Sequence, residues 1–200
     1  MVEWPVRIVA VILAAGEGRR IGRPKALLPI RGGTFLGACA SLFARPAVAS
    51  IVAVVGCDAA RVAATAPGLT TVENPRYRDG MLSSVLRGLD AAEAAGAEAV
   101  LLHPVDHPLV DPATVDRVIA ALEAGAAITV PSHEGRRGHP AGFARLSWPA
   151  LRAASPAHGA RAVLAEHPEW IVHVPGDPGC VAGIDTREDY ARWIGPPPPS

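Results

Sequence analysis

Branched aliphatic runs alternate with helix-like stretches along most of the chain. The runs at 6–13, 50–55, 99–105, 127–130 and 170–174, with a weaker one at 69–73, are too evenly apolar for one wet and one dry face. They predict strands buried on both sides of a sheet. Between them, 34–44, 59–65, 81–95, 112–124 and 161–166 read as helices. Strand and helix taking turns in this way predicts a doubly wound α/β domain with a mainly parallel sheet. Two helix starts are written explicitly. Asp111 followed by Pro112 suits an N-cap with proline in the first helical position, and Thr186 three residues before Asp189 resembles a capping box.

Composition narrows the classes. The 200 residues carry 19 basic and 19 acidic side chains, so the field that attracts a non-specific nucleic-acid binder is missing. A small anion remains a suitable ligand, because it needs only a local positive cradle. The apolar stretch 8–15 falls far short of the about 20 residues that cross a bilayer, and Glu3 and Pro5 sit where a secretory signal would be basic and then apolar. A soluble, cytoplasmic protein is expected, with no nucleic-acid or membrane partner. Half of the residues are hydrophobic, enough for one domain over 1–194, and the proline-rich segment 195–200 reads as a tail. The three cysteines form no C-x-x-C pair, which excludes a disulfide framework or zinc knuckle and fits a reducing compartment. Of the 19 basic residues all but Lys25 are arginine. A compact ammonium in a background of planar guanidinium groups invites a specific role for Lys25.

That lysine closes a glycine-rich loop that follows the first strand: Leu13-Ala14-Ala15-Gly16-Glu17-Gly18-Arg19-Arg20-Ile21-Gly22-Arg23-Pro24-Lys25. In an open α/β sheet, ligands sit at the carboxyl ends of the strands, where this loop would lie. Small residues let backbone N–H groups approach an anion or a base edge, and Arg19, Arg20 and Lys25 bring positive charge for phosphates. Neither common phosphate loop is present. Ile21 replaces the third glycine of a dinucleotide fingerprint, and Gly22-Arg23-Pro24-Lys25 is not a Walker sequence.

Asp106 ends the run 100–105 and precedes Pro108, which places a carboxylate at a strand's carboxyl end in a turn. Such a group suits Mg²⁺, which takes oxygen ligands from one or two carboxylates and from substrate phosphates. His103 and His107 have the spacing of two zinc ligands on a helix, but Pro104 and Pro108 exclude that helix. His107 would stand beside Asp106 as a polar neighbour of the site. His139 follows Arg136 and Arg137 in a loop rich in donors, placed to meet an acceptor substrate. Ser83 and Ser84 lack the G-x-S-x-G elbow of a nucleophile.

The loop, together with Asn74-Pro75, the segment 80–88, Pro104-Val105-Asp106-His107-Pro108, Gly138-His139-Pro140 and Ile184-Asp185-Thr186, resembles the signature of the MobA-like nucleotidyltransferases in the family's order. The Leu-Ala-Ala-Gly and Gly-His-Pro elements look most like the molybdenum-cofactor cytidylyltransferases of that family. The resemblance implies a Rossmann-like, three-layer α/β/α domain and a Mg²⁺-dependent enzyme. Such an enzyme would transfer a nucleotidyl group, CMP from CTP, to the phosphate of a molybdopterin-type acceptor and release pyrophosphate. It implies Lys25, Asp106 and Asp185 as catalytic residues, the two acids as metal ligands. Leu13, Ala14, Ala15, Gly16, Gly18, Arg19, Arg20, Lys25, Asn74, Gly80 and Ser83 would bind the nucleotide, and His107, His139 and Arg161 the acceptor. A transient contact with a molybdenum enzyme belongs to the same reading. The chain departs from the family's habit at Gly183 and Arg187, where an acid and a proline are common, and at His158-Gly159, where an acid usually precedes the glycine. Two alternatives stay open: transfer to a sugar phosphate or other small phosphate, and a non-catalytic nucleotide-binding chaperone for a molybdenum enzyme.

Overall fold

A computed structural model of the chain describes residues 6–198 other than 158. The strands are β1 (Ile8–Ala14), β2 (Pro29–Ile30), β3 (Gly33–Thr34), β4 (Val48–Val55), β5 (Thr70–Glu73), β6 (Ala99–Pro104), β7 (Ile128–His133), β8 (Arg136–Arg137), β9 (Ala141–Ala144) and β10 (Ile171–Pro175). The helices are α1 (Phe35–Leu42), α2 (Ala59–Ala64), α3 (Met81–Ala94), α4 (Pro112–Glu123), α5 (Trp148–Ala153), α6 (Ala160–Glu166) and α7 (Arg187–Trp193). His158 and positions 199–200 of the tail lie outside the described residues.

The main sheet runs β10-β7-β9-β6-β1-β4-β5, with β8 paired to β7; β2 and β3 form a separate small hairpin. All pairings on the main path are parallel except those of β9 with β6 and β7. The order reverses at β1: the chain goes on to β4 and β5 on one side and later to β6 on the other. That reversal opens a crevice at the carboxyl ends of β1 and β6.

β1 alternates its side chains between two cores. Ile8, Ala10, Ile12 and Ala14 pack with α1, α2, α4 and α7, whereas Val9 and Val11 pack with α3, α5 and α6. The result is the expected three-layer, mainly parallel α/β fold. Gly88 lets α3 settle on the sheet, because a Cβ there would collide with Val11 Cγ1.

Both explicit helix starts are present. The Asp111 carboxylate accepts from Ala113 N at 2.7 Å ahead of Pro112, and Thr186 with Asp189 closes a full capping box. The expectation of strands buried on both faces holds for β1 and β6 but not for β10. That strand is a sheet edge, and Val172 and His173 are exposed on it. No described helix is long and apolar enough to cross a membrane.

Candidate active site

A cleft of about 310 Å³ opens at the carboxyl ends of the central strands. Its floor follows from local pairing. After β1, Leu13 O accepts from Val105 N at 3.2 Å and Ala15 O from Cys57 N at 3.0 Å, so the glycine-rich loop starts pinned to both neighbouring strands. The loop then turns at Gly18, whose φ of +63° and contact with the Arg23 carbonyl leave no room for a side chain. Gly22 N and Ile21 N both donate back to Gly18 O, at 2.9 and 3.0 Å. A short 3-10 turn, Lys25–Leu27, follows Pro24 and aims Lys25 back over the strand ends.

There Lys25 meets both acids. Its Nζ donates to Asp106 Oδ2 at 2.7 Å and to Asp185 Oδ1, and Arg20 reaches the same Asp185 oxygen at 2.9 Å. Lys25 and Asp106 are largely buried, with side chains 17% and 18% exposed. The two acid-bearing turns are tied directly, because Ile184 N donates to Asp106 O at 2.9 Å. Asp185 is held from the other side by the capping box of α7, where Asp189 Oδ2 accepts from Asp185 N and Thr186 N. Burial alone would push the Asp106 carboxyl up. The hydrogen bond and charge of His107, then the Lys25 ammonium, more than reverse this and hold it well below the usual carboxylate range.

The sequence-predicted residues divide into those in the wall and those behind it. Leu13, Ala15, Gly16, Gly18, Arg19, Arg20, Lys25, Gly80, Asp106 and Asp185 line the cleft. Ala14 turns into the core beneath. Asn74 is buried behind the wall: its Nδ2 donates to Ser83 Oγ at 2.9 Å and Ser84 Oγ at 3.0 Å, and its Oδ1 accepts from Arg76 N. Ser83 is turned toward the carbonyls of Arg76 and Gly80, and it is Ser84, one step further round α3, that reaches the wall. Arg19 is engaged by Glu17 at 2.6 Å, and Arg78 binds the same carboxylate at 2.9 Å, which holds Glu17 down to about 2.

The three residues expected on the acceptor side are not in this wall. His107 lies behind Asp106, with Nδ1 2.9 Å from Oδ1. The His139 ring stands edge-on to it at 4.7 Å, in a loop fastened to the Cys180 turn by His139 N donating to Cys180 O at 2.9 Å. Arg161 is exposed on α6, near enough for its charge to act on His139. Met81, Pro104 and Val105, which belong to the motif segments without a role assigned from the sequence, complete the cleft together with Tyr77, which no motif includes.

Among the described residues no cluster of three or more His, Cys, Asp or Glu forms a ready metal cage. Two carboxylates converging on a shared cation do fit a divalent ion of the Mg²⁺ type, which completes its shell with water and substrate phosphate. The Lys25 ammonium shows that the pair accommodates positive charge.

Comparison with known proteins places the chain in a family. The MobA-like NTP transferase domain matches residues 10–170. A Paenarthrobacter nicotinovorans protein named nicotine blue oxidoreductase is 34% identical, over 94% of this chain and 96% of its own length. The molybdenum cofactor guanylyltransferase of Rhodobacter capsulatus is 32% identical, over 94% and 95%. Among solved structures, Rv0371c from Mycobacterium tuberculosis H37Rv superposes with a TM-score of 0.79 at 30% identity, over 94% of this chain and 98% of that one. It has also been solved in complex with manganese. The chain belongs to the MobA-like NTP transferase family and is a nucleotidyltransferase.

Proposed function

We propose that the enzyme transfers CMP from CTP to the phosphate of a molybdopterin-type cofactor and releases pyrophosphate. The observation that carries the reading is the Lys25 ammonium bridging Asp106 and Asp185 at one end of the cleft. An acceptor phosphate is already ionised at neutral pH, so one of its oxygens attacks the α-phosphorus without a general base. The chain's task is then positioning and charge stabilisation. Asp106 and Asp185 would hold the divalent ion, taken as Mg²⁺, which supplies charge stabilisation at the phosphates when bound. The glycine-rich loop supports the triphosphate through its backbone, while Lys25 and Arg20 stand at the rim as its cationic partners. The choice of CTP rests on the Leu-Ala-Ala-Gly and Gly-His-Pro elements, which resemble those of the cytidylyltransferase branch of the family. His139 and Arg161 would meet the acceptor from outside the cleft wall. The product would pass to a molybdenum enzyme by transient contact.

The test is pyrophosphate release with molybdopterin or a sugar phosphate as acceptor and CTP, GTP or ATP as donor, with and without Mg²⁺. Product mass identifies the base transferred. Fast, Mg²⁺-dependent release with CTP is expected; preference for GTP would overturn the base assignment, and release only with sugar phosphates would overturn the acceptor. Absence of pyrophosphate release with every donor and acceptor would contradict nucleotidyl transfer.

A further inference from the structure

His107 stands outside the cleft and yet touches both acid-bearing turns. Its Nδ1 lies 2.9 Å from Asp106 Oδ1, the oxygen that Lys25 leaves unused. An ionised carboxylate can only accept, so the proton sits on Nδ1 and the two Asp106 oxygens have separate, fixed donors. The far edge of the ring rests on Gly183, two residues before Asp185: a Cβ at 183 would stand 3.3 Å from His107 Cε1 and 3.4 Å from Nε2. The His139 ring closes a third side at 4.7 Å, and His103 Nε2 donates to the His107 carbonyl at 3.1 Å. With its side chain only 14% exposed, His107 has nowhere to swing.

We propose that His107 is a positioning residue for the carboxylate pair: its hydrogen bond orients Asp106, and its contact with Gly183 sets the distance from Asp106 to the Asp185 turn. This deepens the metal-dependent reading above and rests on it. Hydrogen-bonding partners behind a ligating carboxylate commonly change metal affinity by about 10- to 100-fold. A methyl at 183 would press on the ring it faces and displace the imidazole by a few tenths of an ångström.

Mn²⁺ affinity, measured by electron paramagnetic resonance of the free ion in the presence of CTP, separates the possibilities. His107→Leu keeps the bulk and removes the donor, and His107→Gln places its amide nitrogen near Nε2. Both should weaken Mn²⁺ binding by about tenfold or more. His107→Asn places an amide nitrogen near Nδ1 and should stay within about threefold of the natural protein. Gly183→Ala adds no polar atom, keeps His107, and should also weaken binding. Unchanged affinity in His107→Leu, equal losses in the Asn and Gln variants, or natural affinity in Gly183→Ala would each overturn the positioning role. If His107→Leu fails to fold, the Asn, Gln and Gly183→Ala comparisons decide alone. Absence of Mn²⁺ binding by the natural protein would overturn the metal-dependent reading as well.

Discussion

The Lys25 ammonium donates to Asp106 Oδ2 at 2.7 Å across 81 residues of chain, and the same nitrogen bonds Asp185. Two carboxylates held together in a largely buried corner would repel each other strongly without a cation between them. Lys25 therefore shapes the site before any substrate arrives.

Asp106→Ala should lower the turnover of pyrophosphate release by at least the roughly 10²- to 10³-fold typical of losing one preorganised stabiliser. Steady-state kinetics at saturating CTP and Mg²⁺ checks this. Turnover near that of the natural protein would remove Asp106 from the reaction.

Lys25 should show two opposite effects. In Lys25→Met the carboxylates lose their resident cation, so Mn²⁺ without nucleotide should bind more tightly than to the natural protein, while CTP binding weakens. Isothermal titration of each ligand reads both, and weaker binding of Mn²⁺ would contradict the shared-carboxylate account. Lys25→Arg keeps the charge but replaces a compact ammonium with a planar fork. It should still impair turnover, and an unimpaired Arg variant would make the identity of the lone lysine irrelevant.

Much of this site could be read from the sequence because its parts are local. The glycine-rich loop, the Asp106 turn before Pro108 and the capping box beside Asp185 each carry their signal within a few residues. What brings Lys25, Asp106 and Asp185 together is the strand order, and within the chain that proximity was visible only through the family resemblance. Strand β9, Ala141–Ala144, has no branched run. It is a strand because β6 and β7 offer it edges on both sides. Ser83 and Ser84 differ only in helical phase, which packing of α3 on β1 decides. The double pairing of Glu17 with Arg19 and Arg78 joins segments 61 residues apart, and no periodicity marks it.

Burial gives the protein an acid-sensitive element. Desolvation, then the neighbouring His107, hold His139 down to about 3 in the folded chain, against an ordinary value of 6.5, and burial lowers His103 as well. Between those values the unfolded chain binds protons that the folded one refuses, so stability is full above about pH 6.5 and falls as pH drops toward 3. Melting temperature should therefore decline from pH 7 to pH 5, with a shallower slope in His139→Gln. A flat profile, or an unchanged slope in that variant, would contradict the burial argument.

The seat of α3 on the sheet makes a packing prediction. Gly88→Ala should destabilise by about 1–3 kcal/mol, because the new methyl overlaps Val11. Adding Val11→Ala should recover part of the loss, a coupling that chemical denaturation of the double variant would measure. Additive losses would place the strain elsewhere.

The thermal shift produced by CTP with and without Mg²⁺, in the natural protein and in Asp106→Ala, reads whether the triphosphate binds through a metal on the paired carboxylates. At 100 times its dissociation constant a ligand stabilises by about 2.7 kcal/mol. A shift of that order is predicted only for the natural protein with both CTP and Mg²⁺ present, and it should largely vanish when Asp106 is replaced. An equal shift without metal, or an equal shift in Asp106→Ala, would contradict a triphosphate site built on the paired carboxylates.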